Sequence, residues 1–420
     1  MRKADLDHHI ILTFMTSFSC CLCMAGWAQR YPGVLKDTIV LSKRKERQYK
    51  DQRDLIDVAM MVFRKDPDKR LDSTNGHNRK LHLSASPILE YTLSTELTTG
   101  IAAGGAFSTD IKRATNVSSF VGAIKYTQKK QFLLPIQSSV WSPANRYNFL
   151  GDWRYLNFPQ DTYGIGGSTT TADGYTVTYK YVRFYEFALK HIGNYFYVGP
   201  GYQLDHHWGI QELGVPAGRI TDFQTYGFSH RSTSSGIAID LLYDSRKNSI
   251  DPEGGTAYAN VEFLQNSTVL GSSATWNSIL IDLRKYFKVA RTSVLAFWFY
   301  SVLTLNGNPP YLDLPGTGSD TYNNTGRGYE QGRFIGKRYV DLESEFRFPI
   351  TRNGLLGGVV FCNAGSVSEL GNNRFEVIYP GFGVGLRIKF NKFSNTNACL
   401  DYGVGTHRSR GFFGNLGEVF

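Results

Sequence analysis

GRGYEQGRFIGKRYVDLESEFRF, residues 326–348, decides how the rest of the chain is read. Its second half alternates. Val340, Leu342, Ser344, Phe346 and Phe348 fall on one face of a strand, and Asp341, Glu343, Glu345 and Arg347 on the other. One face wants apolar surroundings; the other wants water or counter-charges. Two settings satisfy that pattern: a soluble sheet with its apolar face on a core, or a membrane barrel with its apolar face on lipid and its charged face on the lumen. The first half places Arg327 between Gly326 and Gly328, followed by Tyr329, at the end of a Gly-, Pro-, Asn- and Asp-rich connection without apolar period.

Outward from this stretch, two-residue alternation recurs at residues 237–243, 279–283 and 383–390. Aromatic, β-branched and Gly runs fill the intervals from about residue 84 to the end. The expected fold is all-β: a transmembrane antiparallel barrel of about 16 strands, an even number as in bacterial outer-membrane barrels. Composition agrees. The 420 residues include 43 Gly, 25 Tyr and 28 Phe, and the mean hydropathy of −0.28 is too polar for a helical membrane protein. A barrel gives half its strand positions to a polar interior and gathers aromatics at its two interfaces.

The glycine-flanked arginine resembles the loop tip of the bacterial surface antigen superfamily, the outer-membrane barrels that include the BamA and TamA assembly factors and the two-partner secretion transporters. Asp244-Ser245-Arg246 with Pro252 and Gly254, the run 381–387 and Asp401-Tyr402-Gly403 look like further elements of that family. The resemblance implies a long loop folded back into the barrel, its Arg paired with a carboxylate on the next strand and an Asp on the strand after. The matching positions are Arg327, with Gly326, Gly328 and Tyr329 around it, then Glu345, then Asn363. Asn363 departs from the family's Asp, so the expected lock rests on Glu345 with Asn363 as a neutral acceptor. The implied activity is translocation, insertion or transport across the outer membrane, of a protein or lipid substrate that the sequence does not identify. Expected partners are outer-membrane lipids and the assembly machinery that inserts the barrel, for which Phe420 is the terminal aromatic signal.

The N-terminus reads as export. Residues 10–27 are the one long apolar run, behind Arg2 and Lys3, with small residues near position 28, so residues 1–28 are expected to be a signal peptide. Residues 29–83 follow as a periplasmic lead, too short and too charged for the POTRA domains of the family's assembly and secretion members. Within it Leu55, Val58, Ala59, Val62 and Phe63 repeat with helical period, predicting an amphipathic helix over about 51–65, with Asp51 as N-cap. Its apolar stripe needs a partner. Two placements remain open, a plug in the lumen or a helix packed on the periplasmic rim. Residues 84–420 are assigned to the barrel.

Other chemistry is sparse. The net charge of +10 suggests nucleic acid, but no basic cluster interleaved with aromatics supports it, and an exported barrel offers lipid head groups and a lumen instead. Asp205-His206-His207 lacks a third metal ligand nearby. The glycines at 164, 166 and 167 and at 381, 383 and 385 do not lead from a strand into a helix, so they read as room for neighbouring lumen side chains rather than phosphate loops. No Gly-x-Ser-x-Gly turn is present. The expectation is therefore no cofactor, no metal and no catalytic residue. A passive or gated pore for small solutes is the alternative, and an outer-membrane enzyme a more distant one. Cys362 and Cys399 fall on opposite faces and are expected to remain free thiols.

Overall fold

The computed structural model describes residues 51–64, 66–67, 82–110 and 115–420. The expected signal peptide and residues 29–50 lie outside these. Sixteen strands form one antiparallel sheet in chain order. β1 (His82–Thr92), β2 (Glu96–Phe107), β3 (Ser118–Thr127) and β4 (Phe132–Trp141) open it. β5 (Tyr147–Thr162), β6 (Tyr175–Gly193), β7 (Phe196–Leu213) and β8 (Arg231–Asp244) make its tall side. β9 (Ala257–Asn266), β10 (Trp276–Lys288), β11 (Val294–Asn306) and β12 (Arg338–Pro349) follow, and β13 (Leu356–Val367), β14 (Tyr379–Asn391), β15 (Thr396–Gly405) and β16 (Arg410–Leu416) complete it. β16 lies beside β1. No ladder joins those two strands among the described residues, and the Leu93 side chain lies over Gly411 at their seam.

Burial is inverted relative to a soluble sheet. On β8, Ile237 and Ile239 are 54% and 59% exposed, while the alternating Ala238 and Asp240 are buried. Phe382 and Val384 on β14 and Ile101 on β2 are exposed likewise, and the largest buried side chains include Arg327, Glu343 and Glu345. A soluble sandwich would bury the first set and solvate the second. Only a wall with lipid outside and a polar lumen inside accounts for both. The strands, at least ten residues long except β16, are long enough to cross a hydrocarbon layer when tilted. The two longest connections, 214–230 and 307–337, emerge at one end, which by the asymmetry of such barrels is extracellular.

At the opposite end sits α1 (Leu55–Val62). Asp54, not Asp51, is the N-cap, with Asp57 closing a capping box. The expected plug by Leu55, Val58, Ala59, Val62 and Phe63 is not what docks the helix. Val62 and Phe63 are exposed, and the buried residues are Asp54, Ile56 and Asp57. The reason is electrostatic. Lys392, in the turn between β14 and β15, donates its Nζ to Asp57 at 2.8 Å and its backbone N–H to Asp54 at 2.9 Å. Buried carboxylates must go where a cation and donors await them. Arg53 N–H adds a bond to the Asn353 carbonyl. Of the two placements, the helix takes the rim, and none of its residues lines the lumen cavity.

Lys392→Met removes one buried ion pair of Asp57, a loss of about 3–5 kcal/mol for a fully buried pair. The expected outcome is protease cleavage within residues 51–64 while the barrel still migrates faster on a gel before boiling than after. An unchanged cleavage pattern would remove this ion pair as the helix's attachment.

Candidate functional site

The connection 307–337 leaves β11 and is first fixed to the tall side of the barrel. Its short turn Tyr311–Asp313 stacks Tyr311 on Phe223 at 4.2 Å, the latter from α2 (Asp222–Gly227). Tyr311 Oη also meets Thr162 Oγ1 at 2.7 Å. Asp313 accepts from Ser234 Oγ at 2.6 Å and lies 3.6 Å from His207 Nδ1. From there the chain turns to the opposite wall. The Asp320 carboxylate accepts the backbone N–H groups of Tyr322, Asn324 and Thr325 and so shapes the approach to the tip.

The tip rests on glycine. Gly326 and Gly328 have φ of +75° and +107°, the left-handed region where a side chain is strained. A Cβ on Gly328 would fall 3.0 Å from the Val404 backbone, and one on Gly403 2.8 Å from Gly328 N. At Gly405 a Cβ would enter the Tyr329 ring, and at Gly381 it would meet Asn363 and the Arg327 carbonyl. The glycines of β14 and β15 thus leave room for lumen groups, as the sequence suggested. Tyr329 Oη donates to the Pro380 carbonyl at 2.6 Å and accepts the Thr406 N–H.

Arg327, only 2% exposed, reaches three carboxylates. Its Nη1 lies 2.6 Å from Glu345 and 2.8 Å from Asp401, and its Nε 3.3 Å from Glu343. The guanidinium also lies over the Phe361 ring at 3.8 Å. Glu345, on β12, is where sequence reasoning placed the first partner. Asn363 is not the second acceptor. Its Nδ2 donates to the Arg327 backbone carbonyl at 2.8 Å, holding the tip's main chain rather than its charge. Asp401 on β15 and Glu343 supply the remaining charge. Both were legible: Asp401 begins a quoted family element, and Glu343 shares the charged face of β12.

Two more arginines knit the site together. Arg347 Nε donates to Glu345 at 2.7 Å, and Arg387 pairs with Asp401 and, at 2.8 Å, with Glu418. The chain beyond β16 turns into the lumen here. Phe420 was expected as a terminal aromatic on the last strand; it is instead buried, 5.1 Å from the Trp298 ring, with its backbone oxygen accepting from Arg347 at 2.7 Å. Glu418 explains the departure, because its carboxylate is drawn to Arg387 and Arg347.

The other candidates resolve as packing. Asp205 and His207 face the lumen, where Asp205 accepts from Tyr181 and Tyr185, while His206 turns to the other face and meets Thr233. Ser234 donates to Asp313 and not to His207, so these three residues form no nucleophile–base relay. No group of three metal-ligating side chains occurs among the described residues. Gly167 and Ser168 donate their N–H groups to Glu369, at 2.9 and 3.2 Å, so this glycine loop does cradle an anion, one supplied by the chain itself. Cys362 and Cys399 are both free.

The fold and the lumen-bound loop define a class: the 16-stranded transmembrane barrels of the outer-membrane type. No protein-family model matches the sequence, and no curated protein matches it either. Solved structures do share the fold. BamA from Haemophilus ducreyi lacking POTRA domains 1–3 aligns with 81% of this chain and 70% of its own, at 12% identity and a TM-score of 0.53. CdiB from Acinetobacter baumannii aligns at 10% identity and a TM-score of 0.51, and CdiB from Escherichia coli at 8% and 0.53. The chain spans 60% and 62% of the length of those two. The fold is thus that of the BamA/TamA-like barrels.

Arg327→Ala and Glu345→Ala each leave buried charge uncompensated, a cost of about 3–5 kcal/mol that lumen water lowers. Both are expected to expose residues 315–332 to external protease, and the double variant to be less impaired than the two effects summed. Asn363→Asp is expected to loosen the tip as well, because it removes the donor to the Arg327 carbonyl, at about 1–3 kcal/mol. Wild-type protease resistance in all three would mean that these contacts do not hold the loop.

Proposed function

We propose that this barrel transfers a polypeptide or lipid substrate across or into the outer membrane, with the 307–337 loop as its internal latch and Arg327 as the latching residue. One observation carries the reading: the loop tip is fastened by charge to the β12–β15 wall, yet a cavity of about 2280 Å³ remains in the lumen beside it. That cavity is lined by Glu90, Lys125, Gln137 and Arg154 on one side and by Phe412 and Asn415 of β16 on another. It therefore runs up to the β1–β16 seam, the one strand boundary without a ladder among the described residues. A substrate in the cavity has a lateral way to lipid as well as an axial way to solvent. The role is transfer and not bond chemistry, and it needs no cofactor. The neighbours named BamA and CdiB support the reading by fold alone.

A gated pore for small solutes is the second reading, favoured by charged side chains such as Asp152, Arg154 and Arg183 among the residues that line the same cavity. Depletion of the protein separates the two. Transfer predicts altered protein or lipid content of the outer membrane with small-solute uptake unchanged. A pore predicts the reverse, together with higher single-channel conductance in planar bilayers for Arg327→Ala. Recovery of the protein in the soluble periplasm would overturn both.

A further inference from the structure

Helix α1 ends in three apolar residues that stay exposed. Met61, Val62 and Phe63 follow one another at 46%, 72% and 72% exposure, so they form one patch rather than scattered surface positions. The chain turns away directly beyond them, where Arg64 has a left-handed φ of +56° and returns its N–H to the Met61 carbonyl. The other end of the helix fixes where this tip sits. Asp54 and Asp57 are tied to Lys392 in the β14–β15 turn, and Arg53 to Asn353 in the β12–β13 turn. The lumen side of the β14–β15 turn is taken by the connection 245–256, several of whose residues line the cavity. From that side Asn248 donates to the Ser394 carbonyl at 3.0 Å, and Asp251 accepts from Asn395 at 2.8 Å. The helix is left the outer and lower sides of the turn.

The outward face of the wall at that end carries an apolar belt. Phe287 and Val289 at the foot of β10, Phe346 stacked at 5.7 Å on Phe348, and Ile350 at the foot of β12 supply it, and all but Phe348 are exposed. The belt is interrupted at β14 and β15. Phe390, Asn391 and Thr396 are buried there, and α1 packs on β14. Where those strands lose their exposed foot, the helix presents its own apolar tip. We propose that this tip is an interfacial anchor: Met61, Val62 and Phe63 enter the periplasmic leaflet of the outer membrane beside β12–β14, and the partner they take is phospholipid at the level where head groups give way to acyl chains. The eight residues of the helix span about 12 Å, so the tip stays close to the rim that the belt marks. The ion pair at Lys392 sets the position of the helix, and the tip sets its contact with the bilayer. This anchor depends on the barrel fold and not on the transfer reading above.

Fluorescence quenching by lipid tests the anchor. The protein, with its native cysteines replaced by serine, is purified from outer membranes and reconstituted into vesicles of phosphatidylethanolamine and phosphatidylglycerol. A nitrobenzoxadiazole label at Arg64→Cys leaves the tip intact. Phosphatidylcholine bearing a nitroxide just below its head group is expected to quench that label about twofold, since an interfacial helix sits ~5–10 Å into the head-group boundary. The same label at Asp51→Cys, by the docked end of the helix, is expected to keep its emission. Val62→Asp combined with Phe63→Asp is expected to abolish the quenching beside the tip, while the barrel still migrates faster on a gel before boiling than after. Full emission from the Arg64→Cys label with the tip intact would overturn the anchor, and so would quenching that survives the double aspartate variant. In native envelopes a photo-crosslinking residue at Met61 is expected to join lipid. An adduct with protein, whether a second copy of this chain or another partner, would make the tip a protein-docking face and overturn the assignment.

Discussion

A guanidinium withdrawn from water needs negative charge on more than one side, and that requirement shapes the whole half of the barrel from β11 to β16. Arg327 enters the wall at 2% exposure. Its carboxylates come from β12 and β15, separated by two intervening strands, so the side chain lies across β13 and β14 rather than along one strand. Those two strands must stay low beneath it. Their lumen positions are accordingly Asn363, Gly381, Gly383 and Gly385 around the Phe361 ring that the guanidinium covers. Arg347 and Arg387 then become necessary in turn, since three carboxylates converging on one arginine would repel one another.

The same requirement accounts for the end of the described chain. β16 is the shortest strand, and residues 418–420 leave the sheet for the lumen. Glu418 neutralises Arg387, and the Phe420 ring fills the space beside Trp298 while its backbone oxygen accepts from Arg347. A short last strand leaves β1 less to pair with, and so the ion network inside the lumen and the open seam at the wall are physically linked. Charge held inside is set against backbone hydrogen bonding at the edge.

Much of this was legible in the sequence because alternation is a local property. The strand at 338–349, the strand number and the exposure of apolar side chains follow from a two-residue period and the base composition of a polar interior. Arg327 and Glu345 were legible because a flanked Arg-Gly tip and a charged strand face are both short patterns. Asn363 was misread because residue type tells that an amide can accept, not that its N–H₂ faces a carbonyl. Helix α1 was misread for a related reason: apolar period marks which side chains prefer burial, but Asp54 and Asp57 had a cation waiting at Lys392, 335 residues from Asp57 in sequence. Phe420 followed the same logic, overruled by Glu418 two residues earlier. Each miss is a long-range electrostatic contact that no local window contains.

The loop is held at its root and its tip by interactions of different kinds. At the root, Tyr311, Leu314 and Phe223 join an aromatic cluster with Ile165, Tyr175 and Tyr179. Apolar burial of that sort responds weakly to pH, salt or a competing charge. At the tip, arginine and carboxylates hold a main chain that bends at Gly326 and Gly328, and ionic contacts of that sort are undone by any change that supplies or removes a charge. For the latch proposed above, the difference would set an order of release, the tip leaving the wall while the root stays docked on β5–β8. A loop released in that order would swing on its root instead of unfolding from the barrel, and the space it vacated would adjoin the cavity that reaches the β1–β16 seam.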